Sequence, residues 1–207
     1  MSKQSSFYVL YPKDKTVRDF LNSIKLLCDY KQRTEAHITV RGPYKIKLGD
    51  DIIESQNLII KNEKLMITDV ENFFPFNNQN TVFFKCDDNE NLKKIWKKIT
   101  YNAFRPHITM YDGKDYTLAQ QIYLILSRNF KPFVYKVNEL SYLAPKAKDP
   151  LGLYSLRSSF DFDLYKDVIG AKINSENIAK LTNKKKLEIL DVLSNNVFSE
   201  LSSMHYS

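Results

Sequence analysis

The stretches "RTEAHITVRGPY", residues 33–44, and "AFRPHITMYDGK", residues 103–114, set the same His-Ile-Thr triplet in two parts of one chain. Each alternates with a period of two: His37 and Thr39 oppose Ile38 and Val40, and His107 and Thr109 oppose Ile108 and Met110. That is strand periodicity, and it sends an imidazole and a hydroxyl out of the same sheet face. The chain holds three histidines in all, so two of them in one setting is a strong constraint.

Around each triplet the same order of elements is expected. "SSFYVLYP" reads as a strand closed by a proline, and Val17, Phe20, Leu21, Ile24, Leu27 and Cys28 then mark one buried stripe of a helix before the first triplet. Before the second, "NTVFFKC" reads as a strand and "NENLKKIWKKI" as a helix with Leu92, Ile95, Trp96 and Ile99 on one stripe. Strand, helix and His-x-Thr strand thus occur twice, which predicts an internal duplication. The proline and glycine of "RGPY" predict that the first triplet's strand ends nearby. Further strands are expected in "EKLMITDVENFF", "KPFVYKVNELSYL" and "LYSLRSSFDFDL", with a helix capped by Thr117 whose inner face is Leu118, Ile122, Leu126 and Phe130, and a weaker helix in "DDIIESQNLI". The fold class that accommodates these is α+β: a bilobal, pseudo-twofold duplication with two antiparallel sheets backed by helices around a central cleft.

Beyond about Tyr165 the chain turns polar and carries a lysine run. Ile189, Val192, Leu193, Val197 and Leu201 predict one more amphipathic helix, with Lys184, Lys185 and Lys186 as its solvated basic start or a contact to nucleic acid. The expected division is a two-lobed domain over 1–165 and a helical extension over 166–207.

Composition bounds the function. The 207 residues carry a formal net charge of +7, which favours polyanions such as nucleic acid or nucleotides over cationic partners. Cys28 and Cys86 belong to no metal-type or redox-type pair and read as reduced core thiols. The start of the chain has too short an apolar run for a signal peptide and no run is long enough to span a bilayer, so a cytoplasmic protein without a membrane partner is expected. Oligomeric state is not legible.

Two His-Thr pairs brought to one place suit phosphodiester chemistry. One imidazole takes a proton from the attacking oxygen while the other gives one to the leaving oxygen, and a pKa near neutrality lets both forms coexist. The threonine hydroxyls donate to the non-bridging oxygens as charge builds there. No metal and no cofactor is demanded. Arg41 and Tyr44 after the first triplet, and Arg105 and Tyr111 around the second, are candidate substrate-binding residues; Arg41, Arg105 and Tyr111 lie in the same strand parity as their histidines. Phe74, Phe76 and Tyr154 are further candidates to stack a base, whereas His205 falls at the terminus and is left out.

These paired H-x-[ST] motifs resemble the two-histidine (2H) phosphoesterase superfamily, and within it "HITVRGPY" and "FRPHITMYDG" look most similar to bacterial and phage proteins of the 2′-5′ RNA ligase family. The resemblance covers roughly residues 5 to 165. It implies a bilobal fold, a metal-independent site in the cleft, and substrates that are 2′,3′-cyclic phosphates, 2′-5′ linkages or cyclic nucleotides. His37 and His107 would be the acid and base, and Thr39 and Thr109 the phosphate binders. "RGPY" departs from the hydrophobic pair that many members carry after the first motif. The alternative is a non-catalytic RNA or nucleotide-binding module using the same cleft.

Overall fold

The structure is a computed structural model that describes residues 6–31, 34–76, 79–98, 103–143 and 175–203. The expected strand in "LYSLRSSFDFDL", and the residues Ile99, Tyr154 and His205, lie outside the described residues, as does the side chain of Phe76. The elements are β1 (Ser6–Leu10), α1 (Lys15–Cys28), β2 (Ile38–Tyr44), α2 (Asp50–Ile60), β3 (Lys64–Phe76), β4 (Gln79–Cys86), α3 (Glu90–Ile95), β5 (Lys97–Lys98), β6 (His107–Gly113), α4 (Tyr116–Asn129), β7 (Phe133–Lys136), β8 (Ser141–Leu143), α5 (Ser175–Lys180) and α6 (Asn183–Ser203). The chain is α+β.

Two separate sheets are not what the described strands form. They make one sheet, in the order β7-β3-β4-β6-β2-β1-β8, antiparallel throughout except that β5 runs parallel beside β2. The two His-Thr strands, β2 and β6, are central neighbours joined by one ladder pair, Ile38 to Ile108. One wing (β7, β3, β4, β6) and the other (β2, β1, β8) therefore meet at a single point. Helices cross over between the wings: α1 follows β1 but packs on β6, and α3 follows β4 but packs on β2.

The helix stripe read from sequence is the buried one, since Val17, Phe20, Leu21, Ile24, Leu27 and Cys28 are all buried. Asp14 starts α1 by accepting from the Thr16 and Val17 amides. The stripe over 92–99 is cut short. α3 ends at Ile95 and Trp96 turns extended, because Lys97 and Lys98 pair with Arg41 and Gly42 of β2. Asp115, not Thr117, caps α4, its carboxylate accepting from the Leu118 amide at 3.0 Å. Nor does "RGPY" end its strand: β2 runs on to Tyr44, and Gly42 there adopts φ +116, where an added Cβ would lie 2.9 Å from the Ser6 carbonyl oxygen.

Both His-Thr strands bulge at the same place. β1 pairs Val9 with Thr39 and then Tyr8 with Arg41, leaving Val40 extra; β4 pairs Phe83 with Thr109 and then Val82 with Tyr111, leaving Met110 extra. A bulge inserts one residue and shifts the alternation of every side chain beyond it.

The terminal helix is docked. α6 lies against α1 and α4, burying Ile189, Leu193, Val197 and Leu201, while Val192 stays exposed at 45%. Phe198 meets the rings of Phe20, Phe84, Phe130 and Phe133 at centroid distances of 5.2–6.2 Å. Arg128 and Asn129 of α4 both bond the Asp191 carboxylate, at 2.6 and 2.7 Å. Among the described residues, no helix is long and apolar enough to cross a membrane. Cys28 and Cys86 are free and buried, as expected of core thiols. Replacing a fully buried phenylalanine by alanine costs about 3–5 kcal/mol, so Phe198→Ala should lower the urea midpoint of the whole chain by a corresponding amount. A change under about 1 kcal/mol would show that α6 is peripheral to the core.

Candidate active site

The single β2–β6 pair determines what faces what. With Ile38 opposite Ile108, the antiparallel register sets His37 across from Thr109 and Thr39 across from His107, all four on one face. Directly opposed Cβ atoms lie roughly 5 Å apart and diagonal ones about 7–8 Å. The imidazoles form the diagonal pair.

The two histidines are oriented in the same way. His37 Nδ1 lies 2.7 Å from the carbonyl oxygen of Glu35, and His107 Nδ1 lies 2.7 Å from that of Arg105, two residues back in each case. A carbonyl only accepts, so each Nδ1 carries the hydrogen and each neutral ring keeps its basic lone pair on Nε2. Both side chains are half-buried. The Tyr11 ring meets His37 edge-on at 5.9 Å; Phe83 and Phe73 lie 5.0 and 6.1 Å from His107.

The segment before His37 is held by polar residues of α1 at positions 18, 22 and 25, one stripe of the helix. Arg18 Nε donates to the Glu35 carboxylate at 2.5 Å, and its guanidinium stacks 5.0 Å over the Tyr11 ring. Asn22 Oδ1 accepts from the Ala36 amide at 2.7 Å. Lys25 Nζ donates to Thr34 Oγ1 and to the Glu35 carbonyl that also receives His37. Burial brings the Lys25 ammonium down to about 8, against the pull of Asp29, Asp112 and Glu35, and pushes the Tyr11 hydroxyl up to about 12. On the other side, the Cys86 amide donates to the Pro106 carbonyl at 3.0 Å, tying the segment before His107 to β4.

The remaining sequence candidates do not all join this face. Tyr111 leaves it: past the bulge at Met110 it pairs with buried Val82, is 4% exposed, and donates to the Asp115 carbonyl at 3.3 Å. Arg41 leaves it in the same way past Val40, bonding Gln56 of α2 at 2.9 Å and the Tyr44 hydroxyl at 3.4 Å. Tyr44 in turn packs edge-on to Tyr8. Arg105 is exposed, and the bond it makes in the site is that of its carbonyl. Phe74 packs on Tyr116 and Tyr123 of α4, so its neighbour Phe73 is the aromatic beside His107. Glu35, Arg18, Lys25, Tyr11, Phe73 and Phe83 escape sequence reasoning. The polar stripe 18–22–25 carries a legible signal, whereas the carbonyl bonds carry none.

Among the described residues, no three His, Cys, Asp or Glu side chains gather as a metal site. No protein-family model matches the chain, and no curated protein sequence matches it.

In nitrogen-15 NMR at a pH where both rings are neutral, His37 and His107 should each show a protonated Nδ1 and an unprotonated Nε2; the opposite tautomer at either would refute this orientation of the rings. Lys25 makes stability depend on pH. Its folded value of about 8 lies below the ordinary 10.5, so between those values the unfolded chain binds more protons and this group's contribution rises with pH. The urea stability of wild type relative to Lys25→Met should therefore increase from about pH 8 to about pH 10, and a fall across that window would contradict it.

Proposed function

We propose that this chain is a phosphodiesterase that works without a metal, cleaving phosphodiester bonds at RNA ends or in small cyclic nucleotides by paired histidine acid–base catalysis. The observation that carries the reading is the matched bonding of His37 and His107, each with Nδ1 tied to the carbonyl two residues back and Thr109 or Thr39 opposite. With Nδ1 occupied, Nε2 of each ring is the atom that exchanges protons with substrate.

For a 2′,3′-cyclic phosphate, one Nε2 removes a proton from water as its oxygen attacks phosphorus. The other, protonated, delivers its proton to the ribose oxygen as the P–O bond breaks, leaving a phosphomonoester. The roles exchange in the reverse direction, and the substrate's own 2′-hydroxyl replaces water when the cyclic phosphate is being formed. Thr39 and Thr109 donate to the non-bridging oxygens, stabilising the charge of the pentacoordinate species. Phe73 and Phe83 desolvate one side of His107, and the net charge of +7 favours an anionic substrate.

The matched bulges at Val40 and Met110, the matched carbonyl bonds and the reciprocal packing of α1 and α3 support reading the two wings as a pseudo-twofold duplication. A cytoplasmic setting belongs to the same reading, and the two buried free thiols accord with it.

The test is hydrolysis, in EDTA, of 2′,3′-cyclic mononucleotides, 2′-5′-linked and cyclic dinucleotides and a short RNA ending in a cyclic phosphate. His37→Ala and His107→Ala should each lower the rate by roughly 10²–10⁴-fold, with a bell-shaped pH dependence in wild type. Full activity in either variant, or loss of activity on chelation that a divalent ion restores, would overturn the mechanism. No turnover of any substrate, with RNA still bound, would instead identify a binding module. Tyr111→Phe should leave the rate within about threefold of wild type, because the bulge turns that hydroxyl away from the histidines; a loss as large as that of a histidine variant would show that it touches substrate.

A further inference from the structure

A cavity of about 450 Å³ opens where the C-terminal end of α1, the turn between β6 and α4, and the start of α6 converge, and Tyr30, Lys31, Tyr111, Lys114, Asn183 and Lys186 line it. The bulge at Met110 that takes Tyr111 off the histidine face delivers it here. A Cβ at Gly113 would collide with the Tyr111 hydroxyl, so glycine is what lets the ring fold back over the turn. Asn80 holds that turn by donating to the Gly113 and Lys114 carbonyls at 3.3 and 3.2 Å.

Three lysines and three aspartates line the cavity, and one of the lysines is buried. Of the run 184–186, Lys184 and Lys185 are exposed, whereas Lys186 is 6% exposed and its ammonium stacks 4.0 Å over the Tyr30 ring. Among the described residues, the Lys186 ammonium makes no hydrogen bond or ion pair, and neither Lys31 nor Lys114 has a carboxylate partner. The three aspartates keep their charge while each accepts a hydrogen bond, Asp29 from the Lys31 amide, Asp112 from the Thr81 hydroxyl and Asp115 from the Leu118 amide, and they match the three lysines in number. Two long helices, α4 and α6, begin beside this cavity, α4 capped by the Asp115 carboxylate and α6 by the Thr182 hydroxyl, which accepts from the Lys185 amide. Burial lowers the pKa of the Lys186 ammonium, Asp29 opposing and Lys31 adding to the effect. A bound anion would offset that cost.

We propose that this cavity is a second ligand site, separate from the histidine face, which binds a phosphomonoester about the size of a mononucleotide. The volume falls within the range of small-molecule pockets, three ammonium groups supply the phosphate contacts, and the Tyr30 and Tyr111 rings supply apolar wall. The site stands on geometry independent of the proposed phosphodiesterase reaction.

Binding of adenosine 5′-monophosphate, inorganic phosphate and adenosine is measured by isothermal titration calorimetry on the full chain carrying His37→Ala and His107→Ala, which isolates the cavity from the histidine face. The monophosphate should bind at one per chain, inorganic phosphate more weakly, and adenosine not at all. Adding Lys186→Met, which keeps the buried stem and removes the charge, should weaken the monophosphate by about tenfold or more. If that variant loses its circular dichroism signature, exposed Lys114→Met decides the matter, with a loss of severalfold expected. Absence of monophosphate binding, equal binding of adenosine, or affinity unmoved by the lysine variants would overturn the proposal. Failure of the hydrolysis assays with this binding intact would bear on the histidine face alone.

Discussion

One backbone pair, Ile38 to Ile108, holds the molecule's two halves in register. A slip of one residue between β2 and β6 would move each histidine out of line with its opposing threonine, and would turn one strand's imidazole toward the core. Resistance to that slip comes from Ile38 and Ile108 themselves: both are fully buried in the common hydrophobic core, and each contributes about 1.5–3 kcal/mol by leaving water. The core beneath the sheet and the site above it are thus two consequences of one alternation.

The bulges decide what else belongs to the site. Up to Thr39 and Thr109 the alternation reads directly from sequence; one extra residue in each strand then turns Arg41 toward α2 and Tyr111 toward the cavity beside α6. Side chains four residues past each histidine are thereby removed from it. Their place around the imidazoles is taken by groups from other elements: Tyr11 after β1, Phe73 from β3 and Phe83 from β4. The two histidines differ in their support. Arg18, Asn22 and Lys25 brace the segment before His37 from α1, while the segment before His107 is tied to the β4 backbone.

The terminal helix is part of the same core. Phe198 sits among aromatic rings from α1, β4, β7 and the end of α4, and Asp191 is bound by two residues of α4. A helix that packs this deeply also brings its first turn to the cavity, which is how Lys186 comes to be buried beside two exposed lysines.

By itself the sequence determined the α+β class, the helix stripe of α1, the strand that follows His37 and the one that begins at His107, and the shared parity of each histidine with its threonine. These rest on local periodicity, which a strand or helix obeys wherever it lies. Tertiary structure decided the rest. The merger of two expected sheets into one depends on a contact between residues 38 and 108; the turning of Arg41 and Tyr111 depends on how many residues the neighbouring strand offers; and the orientation of both imidazoles depends on backbone carbonyls, which have no residue code. Lysine is a residue type usually found exposed, and only the packing of α1 and α6 against their neighbours buries Lys25 and Lys186.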